Sequence, residues 1–403
     1  MGQESTLLSR SVAPEPLSAM YAGRGEPGSL VGTLNVRAQE LTCAIRIYPT
    51  RPPGYTWYPG AAREGATGAP MSVSLSCAAF VVGAIVSLAT SWVLVSRLER
   101  VGERFGLTEA LLGMVAALAA DAPEITASIT ALLHHQPTVG AGVVLGSNVF
   151  NLAALLGLGA VVAGSIRLHR KVVVFSGTVA MLIGAACLLS VGGQLSAGVG
   201  LAVVLVVFVP FVALLGAHRR ILGWLGLPAS WTAWLEDAIA EEESELKESI
   251  YPKRGTNTDT LVAGGALVVV ILASVAMERG ASSLGVHFAV PEIIVGGLVL
   301  AAVTSLPNAV SAIYLARRGR GAAALSTALN SNSLNVTAGL LIPATVIGLA
   351  RPSASGLLVA GWYVGLTALT LLLAYVGHGF RRAAGGLIIA TYALFVVVLL
   401  VIS

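Results

Sequence analysis

From Ser74 to its last residue the chain is a succession of apolar segments separated by short polar connections. Each segment has roughly the 20 mainly apolar residues that a helix needs to cross a bilayer. Ten can be counted, centred near Ile85, Ala120, Leu152, Ile183, Phe208, Val270, Leu300, Thr337, Leu366 and Leu394. Of the 403 residues 56% are apolar and only 11% charged, less than half the roughly 25% charge of a soluble domain. An ordinary globular enzyme is therefore excluded, and most of the surface faces lipid. Backbone polar groups in hydrocarbon must be satisfied within the segment itself, so the expected fold is all-α and integral to the membrane, with ten transmembrane helices. Cys43, Cys77 and Cys187 form no CxxC pair and give neither a disulfide framework nor a zinc site.

The net charge of +4 is an orientation signal in such a chain and does not call for a nucleic-acid partner. Along the nine connections the Lys and Arg residues number 3, 0, 3, 0, 5, 1, 3, 1 and 2. The alternation puts the odd connections in the cytoplasm and both ends of the helical region outside. Residues 1–70, rich in Pro, Gly and scattered charge, read as a disordered extension whose six Arg conflict with that orientation. Met71 stands directly before the first apolar run and is the expected start of the functional chain. Only Lys171, Lys247 and Lys253 are lysines, which with the Ala and Gly excess suggests a GC-rich bacterial genome and a bacterial cell membrane. The halves 71–217 and 258–403 flank the one sizeable connection, residues 218–257. It holds Trp224, Trp231, Trp234 and the acidic run Glu236, Asp237, Glu241, Glu242, Glu243 and Glu245. Two uses stand open for it, a solvated helix on the membrane surface or a regulatory ion sensor.

Residues recur 184 positions apart. Gly113 maps to Gly297, Pro123 to Pro307, Ser147 to Ser331, Asn148 to Asn332 and Asn151 to Asn335. The copies, about 107–163 and 291–347, are separated by five spans, and an odd number makes them cross in opposite directions. Inverted five-helix repeats of this kind are typical of secondary transporters, with sites near the midplane. Each copy carries a proline inside an apolar run, in AADAPEITAS and AVTSLPNAVS. Without the proline N–H, the carbonyls of Ala119 and Val303 lose their helical partners and need another donor or a cation. A packing kink is the alternative use of a single such proline; two matched ones favour the site.

The carboxylates narrow the choice. Of 20 acidic residues, five precede Met71 and seven fall in the fifth connection. Glu99, Glu103, Asp259 and Glu278 fall in or next to connections, and Glu109 and Glu292 stand near helix starts. Asp121 and Glu124 remain, three residues apart and so on one face of the second helix, at mid-membrane, where charge is expensive and usually functional. Thr304, Ser305 and Asn308 stand at the matching break. Ser147, Asn148, Asn151, Ser331, Asn332 and Asn335 join the same layer if the helices pack as hairpins. Such oxygens suit Ca2+ or Na+ rather than softer metals. Small polar residues also promote helix packing, so for Asn148 and Asn332 both uses stay open.

At these residues the sequence resembles the calcium/cation antiporter superfamily, in particular the sodium/calcium exchanger membrane regions. There an acid in a GTS-P-E-like stretch is followed 23 residues later by the serine of a GSN stretch. Here Glu124 and Ser147 stand 23 apart within ADAPE and GSNVFN, and Asn308 and Ser331 again within TSLPN and NSNSLN. The resemblance implies alternating exchange of Ca2+ and Na+ at a central site, with no cofactor beyond the transported ions. It implies Glu124 as the shared acidic ligand, helped by Ser147, Asn151, Thr304, Ser305, Ser331 and Asn335. Asn308 replaces the family's second acid, and Ala120 replaces a ligand threonine. Asp121, at a serine position of the family, restores a charge: two ionised carboxylates balance one Ca2+ or two Na+. Two acids so close also make H+ a candidate coupling ion. The alternative is an exchanger-fold protein that moves monovalent cations or serves as a scaffold or sensor. Enzymatic use of Asp121 and Glu124 is disfavoured because both sit on one helix. N-terminal sequencing of the mature protein is expected to begin at Met71; residues found before it would remove that expectation.

Overall fold

The computed structural model describes residues 71–403 apart from 227, 248–254 and 318. The expected extension 1–70 lies outside the described residues. Helix α1 (Val73–Arg104) is followed by the pair α2 (Glu109–Ala120) and α3 (Ala122–Leu133). Then come α4 (Pro137–Ala163), α5 (Arg170–Val191), α6 (Ala197–Leu225) and α7 (Ala229–Lys247), the helix of the long fifth connection. The second half has α8 (Asn257–His287), the pair α9 (Glu292–Thr304) and α10 (Leu306–Arg317), and α11 (Gly321–Leu334). Helix α11 is carried on by a π-helical segment, Asn335–Leu341, and by Ile342–Ile347. The chain closes with α12 (Ala354–Gly377) and α13 (Arg382–Ile402).

Among the described residues seven helices are long and apolar enough to cross a membrane, or nine if each bent pair is one span. The expected segment around Thr337 is not among the seven. It is helical, but Ser326, Thr327, Asn330, Ser331, Asn332, Ser333 and Asn335 lower its hydropathy. The polar residues are tolerated because nearly all of them are buried against other helices. Helix α4 has the same interior position: 94% of its most apolar stretch is enclosed by protein, against 28% for α1 and α8. The outer helices instead present Val82, Val206, Leu272 and Val401 outward, as a lipid-facing surface requires.

The offset seen in sequence recurs in the helix boundaries. Val73 and Asn257, Ala122 and Leu306, Pro137 and Gly321, and Arg170 and Ala354 all begin helices 184 residues apart. Helices α1 and α8 pack along their lengths against each other, tied by hydroxyl pairs Ser87–Ser274 and Ser76–Ser283 at 2.8 Å. Gly280 makes this approach possible, because a Cβ there would stand 2.6 Å from the Phe80 nitrogen and 2.7 Å from the Ser76 oxygen.

The odd-numbered connections gather at one end. Strand β1 (Ser165–Arg167) in the third pairs antiparallel with β2 (Gly379–Arg381) in the ninth, Ile166 opposite Phe380. Arg97 of α1 lies 2.7 Å from Asp259, which also caps the start of α8 in a reciprocal box with Thr256. Helix α7 docks at this same end. Lys171 pairs with Asp237 and His169 with Glu241, each at 2.5 Å, while Ala238 and Ile239 are fully buried. Exposed pairs of this kind contribute only about 0–1 kcal/mol each, so the buried apolar face holds α7 in place. The acidic run therefore belongs to a helix packed on the bundle. The side chains of Glu242, Glu243 and Glu245 lie outside the described ones. The even connections meet at the other end, where Ser282 contacts Gln136 and the His287 ring lies 2.7 Å from the Met71 carbonyl.

One expectation is corrected here. Glu278 does not belong to a connection: α8 continues nine residues beyond it, and the side chain is 1% exposed. Replacing Gly280 by Val should separate α1 from α8 and cost about 1–3 kcal/mol by overpacking. The check is a lowered Tm of the detergent-purified chain.

Candidate cation site

The site is built on two helix breaks. Asp121 ends α2 and begins α3 with φ −80° and ψ −7°, and Ser305 does the same between α9 and α10 with φ −81° and ψ −3°. The axes bend by 51° and 44°. Pro123 sits in the first turn of α3, where its missing N–H and fixed φ are compatible with a helix start. The Ala119 carbonyl that the break frees accepts the Ser91 hydroxyl of α1 at 3.2 Å. Ser91 was not legible as a site residue, being one hydroxyl in an apolar helix.

Helices α4 and α11 complete the chamber. At Gly146 of α4 a Cβ would stand 2.1 Å from the Gly297 carbonyl of α9. Only hydrogen at that position lets the two helices close over the breaks. Both α4 and α11 loosen into π-helical turns just past the layer, at Leu152–Leu158 and Asn335–Leu341, a feature frequent at functional sites.

All nine sequence-derived residues come together: Asp121, Glu124, Ser147, Asn151, Thr304, Ser305, Asn308, Ser331 and Asn335 are each at most 1% exposed. The acids of the first repeat are held by the second. Ser305 donates to Glu124 Oε1 at 2.5 Å, and the Asn335 amide donates to Oε2. Asp121 Oδ1 accepts from Asn308 Nδ2 at 2.6 Å and from the Ser331 hydroxyl at 2.7 Å. The pairing is crossed: Ser305 is the repeat counterpart of Asp121 but holds Glu124, and Asn308, the counterpart of Glu124, holds Asp121. Thr304 and Ser147 donate back to carbonyls one turn earlier, Leu300 at 2.9 Å and Val143 at 2.6 Å. Both hydroxyls stay in the layer with Glu124, the Ser147 hydroxyl within hydrogen-bond reach of its carboxylate.

Asn148 and Asn332 lock α4 to α11. Each side-chain amide donates to the other's backbone carbonyl, both at 3.1 Å. Their Oδ1 atoms accept from the following asparagines, Asn151 to Asn332 at 3.1 Å and Asn335 to Asn148 at 3.3 Å. Ser128, one turn past Glu124, was also missed in sequence. Its hydroxyl lies 2.9 Å from the Gly140 carbonyl and 2.8 Å from that of Gly339, so one group ties α3 to both halves. Its only sequence signal was its place on the carboxylate face of α3.

Three oxygens in this layer have no partner: Asp121 Oδ2, Asn151 Oδ1 and Asn335 Oδ1. None of the ion pairs among the described residues involves Asp121 or Glu124. Two carboxylates and two unpaired amide oxygens in a dry chamber form a donor set for a hard cation.

Paired breaks around a buried oxygen layer, inside a bundle of membrane-length helices, are the architecture of a multi-pass membrane protein with a polar centre. Residues 75–216 and 259–401 match the family described as sodium/calcium exchanger protein, so the chain belongs to that family. The inner membrane protein YrbG of Escherichia coli (strain K12) is 27% identical over 282 residues, 68% of this chain and 80% of that protein. The putative antiporter CaxA of Alkalimonas amylolytica is 33% identical over 84 residues, 21% of this chain and 26% of its own length. The structure of the sodium-calcium exchanger NCX_Mj superposes with a TM-score of 0.52 at 19% identity, covering 81% of this chain and 99% of that one. That of the H+/Ca2+ exchanger CAX gives 0.60 at 15% identity, covering 81% and 82%. These likenesses establish the fold of a multi-pass membrane protein.

The reciprocal amides should behave as one unit. Asn148→Ala and Asn332→Ala are each expected to lower Tm, and the double variant by less than the sum, with a coupling of about 0.5–3 kcal/mol. Additive losses in a double-mutant cycle would show that the two amides act separately.

Proposed function

We propose that the chain is a secondary active antiporter that exchanges Ca2+ for Na+ or H+ by alternating access at the Asp121–Glu124 layer. The observation that carries this reading is the set of unpartnered buried oxygens, Asp121 Oδ2, Asn151 Oδ1 and Asn335 Oδ1. A buried polar atom without a partner costs about 1–3 kcal/mol, and a cation bound in this layer relieves that cost. Asp121 and Glu124 supply two negative charges, enough for one Ca2+ or two Na+. Ser147, Thr304, Ser305, Ser331 and Asn335 supply further oxygens. Asn308 acts through its hydrogen bond to Asp121, orienting the carboxylate whose charge stands in for the acid absent from the second repeat.

The recurrence of helix starts at 184 residues supports two inverted five-helix halves, ten spans in all, with the segment from Gly321 to Ile347 as the eighth. The clustering of the odd connections at one end supports a cytoplasmic location for that end and an outward one for residues 71 and 403. The match to an inner membrane protein of Escherichia coli supports residence in a bacterial plasma membrane. The family's exchangers are transporters, and the paired acids on one helix serve ion binding here, without a cofactor and without enzymatic turnover.

A second reading has one observation in its favour. Asn308, at the repeat position of Glu124, is a neutral amide, and a site with one effective carboxylate suits monovalent cations or no transport. Radioactive Ca2+ uptake into proteoliposomes under an imposed Na+ gradient, then an H+ gradient, separates the two. Uptake driven by either gradient supports the first reading and names the coupling ion; none under either supports the second. Asp121→Asn is expected to reduce uptake about as severely as Glu124→Gln, by about a hundredfold, as expected when one partner of a buried charge contact is removed. Full flux in Asp121→Asn would show that this aspartate carries no compensating charge.

A further inference from the structure

Glu278 is a buried acid that the central site does not use and that, unlike Asp259, has no ion pair among the described residues. It lies on α8, nine residues before that helix ends among the even connections, and it is 1% exposed. Its Oε1 is 2.9 Å from the Ser282 hydroxyl, but its Oε2 has no partner. The adjacent Arg279 is turned to another group: its Nη2 lies 3.0 Å from His134 Nε2. His134 Nδ1 is 2.8 Å from the Thr130 carbonyl and so carries the ring proton, which leaves Nε2 as acceptor for the guanidinium. The repeat counterpart of Glu278, 184 residues earlier, is Leu94, equally buried at 1% exposed. A carboxylate thus replaces a packed leucine at one end of the bundle only, and packing does not explain it.

The same Ser282 hydroxyl stands 2.9 Å from the Gln136 side-chain oxygen. Ser282 and Gln136 line a cavity of about 340 Å³ together with Val139, Glu292 and Val295. The cavity lies at the even-connection end. Val139 is eight residues before Ser147 on α4, so at 1.5 Å per residue the central layer is about 12 Å further in.

We propose that Glu278, Ser282 and Gln136 form a second cation station at this mouth, which holds one Na+ on its way to the central site. The inference rests on the proposed antiport. Glu278 supplies one buried carboxylate beside two neutral oxygens, a set that matches a single monovalent charge, while Glu292 of the cavity lining stays exposed. Na+ also takes the oxygen donors present, and it gives Glu278 Oε2 the direct contact that the Arg279 charge and the His134 ring nearby do not make.

The test uses the full chain purified in detergent and Na+ alone as the probe, with choline replacing it at constant chloride. In a chain carrying Asp121→Asn and Glu124→Gln, broadening of the sodium NMR line is expected to persist. Adding Glu278→Gln is expected to reduce it to that of protein-free buffer. Broadening that disappears with the central pair alone, or that survives Glu278→Gln, overturns the proposal. If the triple variant does not fold, the single Glu278→Gln chain decides: a smaller Na+-induced rise in Tm with the Ca2+-induced rise retained supports the station, and an unchanged Na+ effect overturns it. Ca2+-induced stabilisation of the wild-type chain reports on the central site separately, so failure of that reading is distinguishable.

Discussion

Two carboxylates buried one helical turn apart, with no basic side chain paired to either among the described residues, are the constraint from which the remaining architecture follows. Isolated charge in a low-dielectric interior costs far more than any single packing contact returns. The chain meets that cost by surrounding Asp121 and Glu124 with donors from the opposite half, Ser305, Asn308, Ser331 and Asn335. Bringing those donors within reach requires both helix breaks, the glycine closure at Gly146 and the reciprocal amides of Asn148 and Asn332. Those amides leave each repeat incomplete without the other. Neither half presents a satisfied polar layer alone, so the site exists only where the two halves meet.

The symmetry of the scaffold and the asymmetry of the site serve different ends. Backbone features repeat closely: the breaks share the same dihedrals, the helix starts share one offset, and the amide lock is reciprocal. Charge does not repeat. Both acids are on α3 or at its start, while α10 presents neutral Asn308. Because Asn308 and Asp121 are in direct contact, the negative charge occupies nearly the same place that an acid at 308 would give it, carried by the other strand of the pairing. The scaffold tolerates such a transfer because the crossed pairing puts residues of the second repeat around both carboxylates of the first.

Much of this was legible in the residues. The offset of 184, the matched prolines and the elimination of acids in tails, connections and helix ends led to Asp121 and Glu124, and hydrophobic runs placed the helices. What sequence could not give was direction across the interface. Ser91 and Ser128 are single hydroxyls in apolar helices, and their use depends on which carbonyl a neighbouring helix leaves unpaired. Glu278, expected in or next to a connection, lies inside α8, which continues nine residues further in an environment that buries the carboxylate. Helix α7 was legible as a helix, but its docking depends on Ala238 and Ile239 meeting the bundle end, which its acidic composition conceals.

The π-helical turns after Asn151 and at Asn335 have a geometric consequence of their own. An α-helix advances about 100° per residue, so a turn that accommodates an additional residue resets the angular phase of everything that follows. In α4 the polar stripe of Ser147, Asn148 and Asn151 is aimed at the chamber, while Leu155 and Leu156 are aimed at fully buried apolar packing. A continuous α-helix would couple those two headings rigidly. The π turn separates them, so that one rod serves as wall of the polar chamber over part of its length and as packing element over the rest, each oriented by its own surroundings.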